Sequence, residues 1–554
     1  MQFLAETSLP GMGDITGAFL DRQRGLLAAG CSFQLLTEPR ARASYGGHHP
    51  RYRVALYEQR KRQPLAIFDK LRFPINDVAF HPTLPVAALA TGSYDGGWTF
   101  EGELLLWNWE TGQSGSVVES IPEVIRVAFD VEGEKIVALV RPWDEGMVED
   151  LSSEADPFNI FFEIKATFLP ALGNGLAGKE KVTEQLSSQT PISGEQVKND
   201  QRFASQDSNF LDTISQHCET GPILSRSPIW DVAWFSNEQI GIVHDNCQLE
   251  ILNTSGTITQ SFSGAGHGCE LFGGPEPLIH VSTARDNQNW HTEYASTLYR
   301  LKNTTLKKEE TFIGSHTFSV SSDGRILARL NKSWAPANEP SFDRLYTDGV
   351  WHEVNLGRYD VFNHYVRVNN SPYLFFVQDD DPERDPFDDF NVREKKWLCI
   401  LKPDGSIRRM WRILRDDGTD ASHAMECAYA LISNRGSEAM VVAGKHYEPN
   451  PSKPFAGFIY RKELNSGKEM WRHKTTASPT VLRYAPELDV ILAFFLNGNQ
   501  MVIDASSGRI IREARFTPGS LPTIVCACDV FEKRIALGTI DGRVAIAPVE
   551  EIAT

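Results

Sequence analysis

The run Val78-Ala79-Phe80 returns as Val127-Ala128-Phe129, 49 residues later, and as Val232-Ala233-Trp234 after a further 105, each time opening a series of short β-rich runs. Self-similarity with a period of about 40–50 residues is the mark of a radial array of four-stranded antiparallel sheets. The chain therefore reads as all-β, a β-propeller. Runs punctuated by Gly, Asn and Asp turns divide it into about ten such units. The later units begin near His267, His316, His364, Met425 and Thr480. The last, Thr523–Val530, Arg534–Gly538 and Arg543–Val549, is one strand short. Gln2–Thr7 is the expected missing strand, so residues 1–8 close a single ring, with two smaller fused rings as the alternative. Such pairing hides two sheet edges that would otherwise recruit other chains.

Residues 1–171 and 228–554 form the two blade-bearing parts in this reading. Between them, 172–227 is rich in Lys, Glu, Gln, Ser and Asn and poor in aromatics. A segment of that composition buries too little apolar surface to offset its ordering entropy. It reads as a flexible insertion with a short helix at Lys179–Leu186. The net charge of −17 disfavours nucleic acid, whose phosphates it would repel. Apolar runs such as Val490–Leu496 are too short to span a bilayer, and the N-terminal residues lack the pattern of a signal peptide. Eight scattered cysteines without paired spacing fit a reduced, cytoplasmic setting.

Two stretches carry a likeness to known families. Leu104-Leu105-Leu106-Trp107-Asn108-Trp109-Glu110-Thr111-Gly112 resembles the end of a WD repeat, with Asn108 where aspartate is usual. The stretch from Tyr460 to Trp471, with Ser466-Gly467-Lys468-Glu469-Met470-Trp471, resembles the turn of quinoprotein-like propellers, and Met501–Gly508 has a similar shape. The chain is also similar to WD-like propellers of bacterial systems that pair an AAA-type ATPase with other subunits. These resemblances imply a propeller fold. Function has to be argued from sites.

Few residues propose chemistry. Gly173-Asn174-Gly175-Leu176-Ala177-Gly178-Lys179-Glu180 mimics a phosphate loop, but Glu180 stands where a hydroxyl should meet magnesium. His267, His316, His364 and His423 lie at or just before unit starts. Bonded within their own sheets they are structural; gathered around the channel they would hold a metal and serve a hydrolase or lyase. The reading adopted is that no cofactor is bound and no residue is catalytic. Acids crowd residues 379–389, without the spacing of a calcium loop.

Loop length gives the stronger signal. Connections from second to third strands are long in most units, and carry Trp98, Trp290, Trp334 and Phe387 beside Asp379, Asp380, Asp381 and Asp385. Long loops in a compact body are uncommon unless they have a function or are disordered, and aromatics among charges resemble an interface centre. The expected role is a non-enzymatic scaffold that binds a protein partner with a basic surface through this rim. In the competing reading, these rings fold back and plug the mouth of the propeller.

Overall fold

The computed structural model describes all residues except 7, 36–50, 95, 97–98, 119–120, 145–146, 148–155, 168–190, 199, 201, 204–208, 221–225, 246–247, 264–267, 275, 285–293, 303–304, 315, 331–341, 357–365, 380–395, 413–423, 435–436 and 447–456. The expected ten units are present as ten antiparallel sheets, nine of four strands and one of three among the described residues. In chain order, sheet 1 runs from Ile15 to Leu71, sheet 2 from Ile75 to Ser116, and sheet 3 from Val124 to Ser193. Sheets 4, 5 and 6 occupy Ile229–Ser263, Gly268–Ile313 and His316–Val354. Sheet 7, the three-stranded one, occupies Leu374–Arg412; sheets 8 and 9 occupy Ala424–Thr475 and Pro479–Arg515. Sheet 10 spans Val525–Pro548 and takes Gln2–Ala5 as its fourth strand.

That last pairing is the one expected from the sequence. Gln2 faces Ile546 and Phe3 faces Ala545 in antiparallel register, and the terminal ammonium of Met1 meets Glu551 at 2.5 Å. Sheets 1 to 9 are meanders, and sheet 10 is a three-stranded meander with the N-terminal strand at its edge. In sheet 9 the second strand, Val490–Phe495, is buried throughout, while the fourth, Ile510–Arg515, is mostly exposed. Tight turns are bought by residues that tolerate a left-handed backbone, as at Gly508, where φ is +76° and an added Cβ would lie 2.5 Å from the Trp471 ring.

The sheets fall into two compact units. The smaller takes Thr7–Thr37 and His49–Arg226 and contains sheets 1 to 3. Phe19, Leu56 and Phe68 of sheet 1 pack on Val78, Leu89 and Trp107 of sheet 2. Leu104 and Leu106 then pack on Val127, Ile136 and Phe162 of sheet 3. Three described elements of the polar 172–227 segment belong to this unit, one of them the short helix Gly194–Lys198. Ile192–Ser193 is the fourth strand of sheet 3, and the helix Phe210–Cys218 lies on sheet 1. The helix buries Ile214, His217 and Cys218, spaced three and four apart on one face. Its end is tied by the Arg60 amide donating to the His217 carbonyl at 2.8 Å. The helix expected at Lys179–Leu186 lies outside the described residues.

The larger unit takes Met1–Glu6 and Ser227–Thr554 and contains sheets 4 to 10. Apolar clusters fill the space between each sheet and the next: Leu249 with Leu271, Phe272 with Phe318, Leu327 with Phe376, Val377 with Met440, Val441 with Ile491, and Leu492 with Leu537. A seventh cluster joins Ala527, Val544 and Leu4 of sheet 10 to Ile229, Val232 and Trp234 of sheet 4. The order of packing returns to its start after seven sheets. Within this unit sheet 10 thus packs on sheet 4.

Candidate functional site

Buried aspartates on first strands stitch neighbouring sheets together. Asp77 accepts from its neighbour Val78 at 2.9 Å and from Val127, on the next sheet, at 3.0 Å. Asp231 does the same with Val232 at 2.9 Å and Leu271 at 2.7 Å. Asp529 accepts from the Trp234 amide at 3.0 Å, which ties sheet 10 to sheet 4. Backbone N–H groups at a sheet-to-sheet step have no ladder partner, and the carboxylates satisfy them. Asp77 and Asp231 each precede a Val-Ala-aromatic repeat; Arg126 takes that position in the third copy. The repeat pointed to these positions, but the role of the aspartate needed the neighbouring sheet.

Sheet 7 departs from the pattern. The segment before it, Val366–Asn369, is not paired as a strand, and its side chains reach sheets that are not its neighbours. Arg367 donates to Asp231 of sheet 4 at 2.7 Å and to the Leu271 carbonyl of sheet 5, with its guanidinium 4.9 Å from the Phe272 ring centre. Asn369 donates to Asp529 of sheet 10 at 3.1 Å. Ser319 of sheet 6 donates to the Val366 carbonyl at 3.0 Å. This segment thus ties the inner strands of four other sheets into one polar cluster.

Two cavities flank the cluster and share Asn369, Asn370 and Asp529. The smaller, about 40 Å³, is closed by Phe272, Ser321 and Arg367. The larger, about 220 Å³, is walled by Tyr429, Ser433, Arg483, Tyr484 and Glu532. Burial raises the Asp529 carboxyl above the ordinary carboxylate range, against the pull of Arg483. The walls offer donors and acceptors, among them the Tyr484 hydroxyl, which donates to Asp489 at 2.9 Å.

The residues singled out in the sequence fall elsewhere. Trp98, Trp290, Trp334, Asp380, Asp381, Asp385 and Phe387, with His267, His364 and His423, lie outside the described residues; Asp379 is placed only as the end of the strand Leu374–Asp379. His316 is described. It is 4% exposed, hydrogen-bonded to the Gly314 carbonyl at 3.1 Å, and pushed down to about 4 by burial. Among the described residues no group of three or more His, Cys, Asp or Glu is arranged to hold a metal. In the smaller unit Phe100 is fully buried at the start of a strand, 4.9 Å from Tyr94 and 5.4 Å from Phe158, which is itself 44% exposed, with Arg141 over both phenylalanine rings.

The connections themselves are defined by the strands that flank them. In sheets 5 to 8 the second-to-third connections span 285–293, 331–342, 380–395 and 447–456, counting the unpaired segment Val366–Asn369 as the first-strand position of sheet 7. In sheets 9, 10 and 4 they shrink to 496–498, 540–543 and 245–247. First-to-second and third-to-fourth turns, at the opposite ends of the strands, are short, as at 321–325 and 402–406. Among the described residues no helix is long and apolar enough to cross a membrane.

No family model matches the chain. No curated protein matches it either. Among solved structures it is similar to the crystal structure of the Saccharomyces cerevisiae Sqt1, at 9% identity and a TM-score of 0.38, over 87% of this chain and 97% of that one.

Proposed function

We propose that the chain is a non-enzymatic protein-interaction scaffold whose larger unit is a closed seven-bladed propeller. It engages its partner through the rim that carries the second-to-third strand connections. The observation behind this reading is the sector of long connections. They occur on four consecutive sheets, 5 to 8, while the other three sheets have short ones. Neighbouring sheets set successive connections side by side, so Trp290, Trp334, Asp379, Asp380, Asp381, Asp385 and Phe387 belong to adjacent stretches. Trp98 belongs to the other unit and enters the proposal as a separate contact. The acids would attract a basic surface from a distance, and the aromatics would hold it once docked. Trp230 adds a described aromatic at the same strand ends, 51% exposed and donating from its indole to Asp245.

A soluble, cytoplasmic setting with no nucleic-acid or membrane partner accompanies this reading and rests on the charge and cysteine pattern. An ATPase subunit among captured proteins would be the partner that the sequence resemblance implies. The test is affinity capture with the full chain, comparing wild type with Phe387→Ala and Trp334→Ala. Partners lost from both variants support the rim. Identical capture by all three overturns it.

A further inference from the structure

Arg483 stands out among the charged residues around the polar cluster of the larger unit. Its Nη1 donates to the carbonyl of its own neighbour Leu482 at 2.8 Å, and its Nε is buried with no partner. No carboxylate among the described residues makes an ion pair with it. Native proteins leave few buried donors unsatisfied, and each such donor calls for an explanation. The nearby acid does not supply one. Asp529 has its two oxygens committed to the Trp234 amide and to Asn369. Burial also raises its carboxyl, which weakens it as a counterion.

Among the described residues neither Nε, which is enclosed, nor Nη2 of Arg483 has a hydrogen-bond partner, and a guanidinium with uncommitted N–H groups is suited to pairing with the oxygens of a planar anion. Arg483 also lines the cavity of about 220 Å³, together with Asn369, Tyr429 and Ser433. At about 30 Å³ per water, that space holds a group of roughly seven heavy atoms, the size of an amino-acid side chain. We propose that this cavity is a carboxylate-binding site in which Arg483 receives the anion. A monoanion suits it better than phosphate. Among the described residues Arg483 is the one cation on these walls, and Glu532 beside it would repel a second negative charge.

The cavity opens at the end of the strands opposite the long connections. Pro486 follows the first strand Pro479–Ala485 of sheet 9 and Glu532 follows the first strand Val525–Phe531 of sheet 10, so both lie in first-to-second turns. The site is therefore independent of the rim proposed above, and rim variants leave it unchanged.

The carboxylate can come from a free small acid or from an acidic side chain of a protein segment. Calorimetric titration of the full chain separates the two sources, with sodium L-glutamate in one arm and the capped peptide acetyl-Ala-Glu-Ala-amide in the other. Sodium chloride and sodium phosphate at matched ionic strength are the controls. The expected result is saturable binding of at least one carboxylate probe and none of the controls. Arg483→Gln weakens it at least about tenfold and Arg483→Lys, which keeps the charge but not the fork, weakens it less. Heat with glutamate alone assigns a small molecule; heat with the peptide assigns a protein segment. Melting curves of both variants establish that they are folded, and if Arg483→Gln is not, the lysine variant alone decides. The proposal is overturned if neither probe binds wild type up to about 10 mM, a range that covers millimolar affinities. It is also overturned if phosphate binds as well as either probe, or if a folded variant binds like wild type.

Discussion

Asp231 illustrates how much of this structure depends on single buried charges. It serves the amide of its own strand, the amide of the next sheet and the guanidinium of Arg367, at distances of 2.7–2.9 Å. Removing the cation leaves a nearly buried carboxylate with amide partners only. Breaking a buried pair from one side costs about 3–5 kcal/mol, and the residual exposure of Arg367 places this case at the lower end. Arg367→Met is expected to lower the chemical unfolding midpoint of the larger unit by an amount equivalent to about 3 kcal/mol. An unchanged midpoint would mean that the pair contributes nothing. Asp77 and His316 make opposite pH predictions. Burial pushes the Asp77 carboxyl up to about 6. The folded chain then holds that proton where the unfolded chain has lost it, so this contribution to stability falls as pH rises from about 4 to about 6. His316 is pushed down to about 4, so its contribution is full above the ordinary histidine value and is lost as pH falls toward 4. The stability difference between wild type and Asp77→Asn should therefore shrink across that rise. The difference between wild type and His316→Gln should grow across it. Parallel slopes in denaturation curves at stepped pH would refute both assignments.

Among elements, the N-terminal strand and the helix Phe210–Cys218 carry the clearest consequences. Gln2–Ala5 completes sheet 10, and Leu4 is buried in the cluster that joins sheet 10 to sheet 4. Deleting Met1–Ala5 should lower the melting temperature and promote association through the bared edge of Val544–Pro548. A deleted chain that melts like the full one and stays dispersed in light scattering would contradict the strand's role. The helix holds Cys218 against sheet 1, where burial pushes the thiol up to about 11 and makes it unreactive. Ile214→Asp places a charge at a site with no exposure and should free the helix. Thiol labelling read by peptide mass should then speed up at Cys218 while Cys528, fully enclosed between sheets 9 and 10, stays slow. Equal labelling rates at Cys218 with and without the substitution would show that the helix does not protect it.

At the scale of the whole molecule, the repeats were legible and their grouping was not. Val-Ala-aromatic runs and Gly-Asn-Asp turns report the local strand pattern, which depends on near neighbours in the chain. Whether sheet 10 packs on sheet 1 or on sheet 4 depends on contacts such as Trp234 with Asp529, about 300 residues apart, and no local signal carries that choice. The helix Phe210–Cys218 was hidden for a related reason. Its apolar face is only Ile214 and Cys218 with a histidine between them, too little to register beside the polar residues around it. The polar cluster also escaped notice, because Arg367, Asn369, Asp231 and Asp529 come from three separate repeats. The long connections were legible, since strand spacing alone exposes them. The central claim, that these connections bind a protein partner, is tested most directly by measuring association with the captured partner in real time for three variants. These are the fourfold exchange of Asp379, Asp380, Asp381 and Asp385 for Asn, Phe387→Ala, and Asp404→Asn on a turn at the opposite strand ends. The account predicts slower, less salt-sensitive association for the first, faster dissociation for the second and wild-type kinetics for the third. Wild-type kinetics in all three would contradict it.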